Sequence, residues 1–331
     1  MRISVLLPVH GAEERVSEAM DTTLAECNQE HELVVVMDRC QEDLIALLCE
    51  YKQNHRNIKL IESLGPGVAN ALNSGLPYCI GKYIARMDSD DLMPQGRLAT
   101  QAEFLDANSD YGLVSGLVKF ESTENSAGYQ HYCEQLNALL SHEAMFQSRF
   151  MESPVAHPSV MFRKSLIEDY GNYTNNGLPE DYELWMRWFS KGIQFAKLNQ
   201  EVLVWRDSGK RASRILPAYS RAAFDEVRML YLIPFLKQIV TADSHIVVAG
   251  AGKYGRKKIE QLILAGLPVS YVSDLVERQI KELEFIPFSA LLPAPGRIVI
   301  SFVSNRGAWL EIQAALTNRG FQIGFDYFPC G

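Results

Sequence analysis

The stretch Tyr83-Ile84-Ala85-Arg86-Met87-Asp88-Ser89-Asp90-Asp91 decides the reading of this chain, because a short apolar run ends there in three carboxylates within four positions. Like charges massed at a strand end repel one another unless a cation joins them, and a hard divalent ion takes oxygen ligands of this kind. Asp and Ser also favour solvated turns, so these nine residues alone leave both readings open.

Upstream of it the chain alternates between strand and helix. Ile3 to Val9 is nearly continuous apolar, as a buried parallel strand is, and Val16, Ala19, Met20, Leu24 and Cys27 then recur at helical spacing. Leu33 to Met37 returns to strand, and a helix through Leu44, Leu48 and Tyr51 with a strand at Ile58 to Ile61 repeats the unit. Alternation of this kind predicts α/β architecture: a parallel sheet with helices on both faces. Gly65-Pro66-Gly67 turns the chain into a short helix over Val68 to Leu76, and Tyr83 to Met87 becomes the fourth strand. Ligands bind beyond the carboxyl ends of such strands, so Pro8 to Gly11, Asp38 to Cys40 and Asp88 to Asp91 are expected on one rim.

Downstream, a helix over Leu98 to Leu105 and a strand over Leu113 to Val118 come first. The stretch from Phe120 to Met151 is polar and poorly periodic until it turns helical near Leu136 to Phe150, and it reads as an acceptor-side or lid insertion rather than core. A strand begins at His157 to Phe162. Glu180 to Phe189 is a helix with acids in its first turn and a stop at Lys191-Gly192, and its Trp185 and Trp188 read as core. The character of the chain changes after Arg214. Pro217 to Val240 reads as a helix interrupted at Pro234, and His245 to Gly255 as a strand, a glycine turn and a helix start. The predicted organisation is a first domain over residues 1–215, a helical connector over 216–242 and a small Rossmann-like domain over 243–331.

The bulk properties agree with an ordinary globular protein: 331 residues, 47% hydrophobic and 22% charged. A formal net charge of −8 argues against nucleic acid as a partner. The six cysteines form no CxxC pair, which fits a reducing compartment and small core residues. No basic, apolar and cleavage-site succession opens the chain, and the apolar stretch Met229 to Leu236 is too short to span a bilayer. The expected location is therefore the cytoplasm, with peripheral contact at the inner face of the membrane through Arg228 to Lys237 as a candidate.

Residues 2 to about 214 resemble the family 2 inverting glycosyltransferases of GT-A fold. The resemblance rests on Ser4-Val5-Leu6-Leu7-Pro8-Val9, Val34 to Asp38, Gly67 to Gly75, Gly81 to Asp91, His157 to Arg163 and Glu180 to Arg187, in that order and spacing. It implies transfer of a hexose or N-acetylhexosamine from a nucleotide-sugar donor, UDP-linked by expectation, to a glycan or lipid-linked acceptor in surface polysaccharide biosynthesis. It also implies a divalent cation, Mn2+ or Mg2+, with Asp88-Ser89-Asp90 as the DxD motif. Asp90 is then a direct ligand, Asp88 contacts metal or ribose, and Asp91 orients the turn or touches the sugar. Asp181 matches the family's base, although an Asp there also suits helix capping. Asp38 matches the carboxylate that reads the uracil edge, Pro8, Val9 and His10 wall that pocket, and Asn70, Arg86 and Arg206 complete the donor-binding set. His157 is an acceptor-side candidate.

The chain departs from the family pattern at two places. Met37-Asp38-Arg39-Cys40 replaces the usual paired acids followed by Gly-Ser, and Ser208 stands where relatives often carry a histidine. The Gln-x-x-Arg-Trp signature of processive relatives is missing, so a single-addition transferase is expected. In the last third, Gly250-x-Gly252-x-x-Gly255 with Asp274 about twenty positions on has the dinucleotide-binding pattern. An NAD-type nucleotide site, a regulatory nucleotide module and an assembly domain that forms oligomers all fit it. Two further functions stay open at this point: a non-catalytic nucleotide-sugar-binding or scaffolding protein, and a pyridine-nucleotide oxidoreductase acting through the C-terminal domain.

Overall fold

Ile3–His10 (β1) is the organising strand of the first sheet, and its apolar run is buried from Ile3 to Leu7. His31–Asp38 (β2), Ile58–Glu62 (β3) and Tyr83–Arg86 (β4) join it as parallel strands, with β1 between β2 and β4. Tyr111–Ser122 (β5), Met161–Arg163 (β6) and Gln194–Asp207 (β7) extend the sheet. Among the residues that this computed structural model describes, 2–11, 14–122, 127–207, 216–277, 279–280, 282–303 and 305–331, the sheet has seven strands in the order β3-β2-β1-β4-β6-β5-β7. Ser208 and Arg214 lie outside the described residues.

The expectation of a parallel sheet needs one correction, since β6 runs antiparallel to both β4 and β5. Backbone hydrogen bonds fix its direction: Arg86 donates to the Val160 carbonyl (3.0 Å) and Lys164 to the Lys82 carbonyl (3.1 Å). Helix Val68–Gly75 lies at backbone distance from the sheet because Gly75 has no side chain. A Cβ there would sit 2.5 Å from Leu6 Cδ1 and 2.6 Å from Val36 Cγ2. Trp185 and Trp188, on helix Glu180–Ser190, are fully buried and pack their rings against each other and against Phe195, as the sequence predicts.

Two other expectations are overturned. The stretch after Phe120 is not a peripheral insertion: β5 continues to Ser122, and helices Ala127–Ala138 and His142–Ser148 follow. Cys133 and Leu136 belong to the main core, and Tyr129, Tyr132 and Phe120 close edge-on around Trp205. A few apolar residues at helical spacing suffice to bury one stripe of an otherwise polar helix. Nor does Pro234 interrupt its helix, which runs unbroken from Arg221 to Ile239. Proline removes one backbone donor, the partner of the carbonyl four residues earlier; here that residue is Leu230, which is exposed, so water can satisfy its carbonyl.

Two compact units result, Met1–Met145 with Pro154–Phe224, and Phe146–Ser153 with Asp225–Gly331. The stretch 216–242, expected as a connector, is divided between them at Phe224. In the second unit, His245–Ala249 (β8), Val269–Asp274 (β9), Glu284–Pro287 (β10), Arg297–Ser301 (β11) and Tyr327–Pro329 (β12) form an all-parallel sheet in the order β10-β9-β8-β11-β12. Val247, Ala249, Val299, Leu316, Phe321 and Tyr327 make a core on one face of it. All six cysteines are free; Cys79, Cys133 and Cys330 are buried as expected, but Cys49 is exposed. Among the described residues no helix is long and apolar enough to cross a membrane.

Candidate active site

β1, β2 and β4 run parallel as neighbours, so their carboxyl ends deliver Pro8 to His10, Asp38 and Asp88 to one edge of the sheet. The last residue of β4, Arg86, is buried and forms an ion pair with Asp88. Asp88, Asp90 and Asp91 then present carboxylate oxygens that all lie within 4.8 Å of one another. Asp88 and Asp90 are half-buried and Asp91 is buried. Three hard oxygen donors converging this closely fit a divalent cation.

The acidic loop is held from both sides. Leu92 and Val204 exchange backbone hydrogen bonds of 3.1 and 3.0 Å, the Arg206 amide donates to Asp91 Oδ1 (2.9 Å), and Arg206 Nε donates to the Asp90 carbonyl (2.7 Å). The Arg206 guanidinium also pairs with Glu18. Arg206, expected among the donor-binding residues, thus spends these bonds on shaping the loop. Behind it, Arg97 is fully buried, and its guanidinium donates to the Arg86 carbonyl (2.8 Å) and to Gln101 Oε1 (3.1 Å).

The start of helix Glu180–Ser190 supplies the second group of acids. Asp181 Oδ1 accepts the Tyr182 amide at 2.7 Å, and the residue is only partly covered. Glu180 is buried; the Tyr219 hydroxyl donates to its Oε2 (2.7 Å), and His157 Nδ1 lies 3.8 Å from its Oε1. His157 Nε2 in turn meets the Tyr173 hydroxyl at 3.0 Å. Burial pushes both carboxyls up, Glu180 further than Asp181, and the neighbouring Asp181 charge adds to the rise at Glu180. Arg86 pulls both back down, while Asp88 raises Asp181. Asp181 therefore lies in the field of the acidic loop. Burial, then Arg86, keeps His157 well below its ordinary range and so uncharged.

At the end of β2 the Asp38 carboxylate is buried among donors: the Gly67 amide at 2.8 Å, His10 Nδ1 at 3.2 Å and Arg39 Nε at 3.2 Å. Arg39 has φ +52°, the left-handed region that the glycine of the family pattern enters without strain. Val9 is buried and its carbonyl accepts from the Cys40 thiol (3.5 Å), whereas His10 is exposed. Asn70 bonds to the Pro66 carbonyl (2.8 Å) and to Asn175 (3.0 Å). Gly250, Gly252, Gly255 and Asp274 belong to the second unit. Sequence reasoning singled out neither Tyr173, Tyr219 nor Arg97, and only Arg97, four residues before Gln101 on one helix, left a local trace.

The family model described as Glycosyl transferase family 2 matches residues 4–171, which include Asp38 and the acidic loop. The chain belongs to this family. Asp181 and Arg206 lie beyond the matched residues of this family 2 chain. It is 26% identical over 219 residues to the Escherichia coli UDP-Gal:alpha-D-GlcNAc-diphosphoundecaprenol beta-1,3-galactosyltransferase, covering 64% of this chain and 77% of that protein. It is 29% identical over 199 residues to the amylovoran biosynthesis glycosyltransferase AmsE of Erwinia amylovora, covering 59% and 72%. In fold it is similar to S. aureus TarS 1-349, with a TM-score of 0.53 at 18% identity over 80% of this chain and 71% of that one. The structure of TarS 1-349 in complex with UDP-GlcNAc matches at a TM-score of 0.53 and 16% identity, over 80% of this chain and 72% of that one.

Proposed function

We propose that this family 2 chain is an inverting glycosyltransferase that moves a hexose or N-acetylhexosamine from a UDP-sugar to a glycan or lipid-linked acceptor of surface polysaccharide biosynthesis, at the cytoplasmic side of the membrane. The observation that carries this reading is Asp181: a partly exposed carboxyl, raised by burial, in the field of the Asp88 to Asp91 cluster. The named activities of the Escherichia coli and Erwinia amylovora relatives support the donor and the kind of product.

Asp88 and Asp90 would hold a Mn2+ or Mg2+ ion, which supplies a Lewis acid for the charge that develops on the departing diphosphate. Asp181 takes the proton of the acceptor hydroxyl as its oxygen bonds to the anomeric carbon and the bond from that carbon to the diphosphate oxygen breaks. Arg86 pairs with the Asp88 carboxylate and so positions it, and buried Glu180, tethered by Tyr219, fixes the helix start that presents Asp181. Asp38 organises the uridine end through the Gly67 amide and His10.

The test is transfer from UDP-hexoses and UDP-N-acetylhexosamines with and without manganese, in wild type, Asp90→Asn and Asp181→Asn. Turnover is expected to require the metal, to fall to background in Asp90→Asn, and to drop about 10²- to 10⁴-fold in Asp181→Asn. Undiminished turnover in both variants overturns the assignment.

A further inference from the structure

Two carboxyls open helix Glu180–Ser190, and the fold treats them differently. Asp181 is partly exposed, and its Oδ1 accepts the amide of its own neighbour, Tyr182 (2.7 Å). Glu180 is 5% exposed, and each of its oxygens faces a side chain from elsewhere in the fold. The Tyr219 hydroxyl donates to Oε2 (2.7 Å), and Oε1 lies 3.8 Å from His157 Nδ1. His157 is buried in its turn, with the Tyr173 hydroxyl 3.0 Å from Nε2 and the Trp185 ring edge-on to it. Tyr173 is fixed through its backbone: its amide donates to Asn73 Oδ1 (3.1 Å), and its carbonyl accepts from Asn73 Nδ2 (2.8 Å).

These neighbours bring Glu180 no counter-ion. Among the described residues no lysine or arginine forms an ion pair with it; Arg86 acts on it only through space, since its ion pair is with Asp88. Burial holds His157 uncharged, with Arg86 adding to the effect, and burial likewise keeps the Tyr173 and Tyr219 hydroxyls protonated. The adjacent Asp181 adds a negative charge. A carboxylate buried with one donor and no counter-ion is far less stable than the neutral acid, and two neighbouring carboxyls in such a place ionise one before the other. Glu180 is the one that keeps its proton, because burial and then the Asp181 charge raise it further than burial raises Asp181.

We propose that Tyr219 and His157 are positioning residues for the base: by facing the two oxygens of Glu180 they hold that carboxyl as the neutral member of the pair, and leave Asp181 alone to carry the charge that takes the acceptor proton. His157 Nε2–H donates to the Tyr173 hydroxyl, and its bare Nδ1 faces the proton on Glu180 Oε1. This rests on Asp181 as the base, and an infrared measurement separates the two because it needs no turnover. In the metal-free full chain at neutral pH, wild type minus Glu180→Gln is expected to show the C=O stretch of a protonated carboxyl; carboxylate bands in its place overturn the proposal. Tyr219→Phe should shift that stretch upward, as Oε2 loses its donor, and should lower kcat about tenfold at unchanged donor KM. A stretch that does not move, or a raised donor KM with kcat intact, overturns the role of Tyr219. Full turnover in Asp181→Asn strikes the base reading, whereas a charged Glu180 beside an inactive Asp181→Asn strikes only this proposal.

Discussion

Glu180 and Asp181 put two adjacent carboxyls beside one buried guanidinium, and their titration should be visible in two different measurements. Asp181 must be ionised to accept a proton, and burial raises its affinity for one. The transferase rate is therefore expected to climb with pH across a range above that of an ordinary aspartate, and a limb at the ordinary aspartate range would remove Asp181 as the titrating group. Glu180 governs stability. Its folded-state affinity for a proton exceeds that of the unfolded chain, so its contribution is complete below the unfolded value and is lost as pH rises through the folded one. Metal-free protein should thus melt at a lower temperature as pH rises from mildly acidic to neutral and above. Glu180→Gln, which can still accept from Tyr219, should flatten that slope, and an unchanged slope would mean that Glu180 is already charged when folded.

The end of β7 shows how an element can shape a site without touching the reaction. Arg206 and Val204 bind the backbone and one carboxylate of the acidic loop. Arg206→Met keeps the amide bond but removes the bond to the Asp90 carbonyl. It is expected to raise the manganese needed for half-maximal activity about tenfold and to lower stability by about 1 to 3 kcal/mol. Metal titrations superimposable on wild type would show the latch to be idle. Much at this scale was legible beforehand. β1 to β4 announce themselves as apolar runs, and the acidic loop by residue type alone. The strand entered through His157 to Phe162 was legible too, but not the direction of β6, which depends on partners far along the chain. Tyr219 was equally silent, since a hydroxyl that reaches Glu180 from another element leaves no mark in local spacing. Asp38 could be picked out as a carboxylate at a strand end, but not its tether to the Gly67 amide.

Across the whole molecule the cysteines test the fold as a unit. None is bridged, and burial first of all pushes the thiols of Cys27, Cys79 and Cys330 up to about 12, far from the reactive thiolate. Iodoacetamide should modify exposed Cys49 well before these three, and reductant should leave the melting temperature unchanged; a lower melt in reductant would reveal a disulfide. The direction of β6 has a broader consequence. In a wholly parallel sheet the rim receives only chain that is leaving a strand. Here Ala156 to Val160 approach that rim on their way into β6, while Asp88 to Asp91 depart from it out of β4. The acidic loop and the His157 side of the crevice are thus written on opposite polarities of backbone, joined through the Arg86 hydrogen bond to Val160 and through the Arg97 guanidinium, which donates to the Arg86 and Val160 carbonyls. Lineages of this architecture can revise one bank of the crevice by changing what precedes a strand, and leave the other bank, which follows a strand, in register.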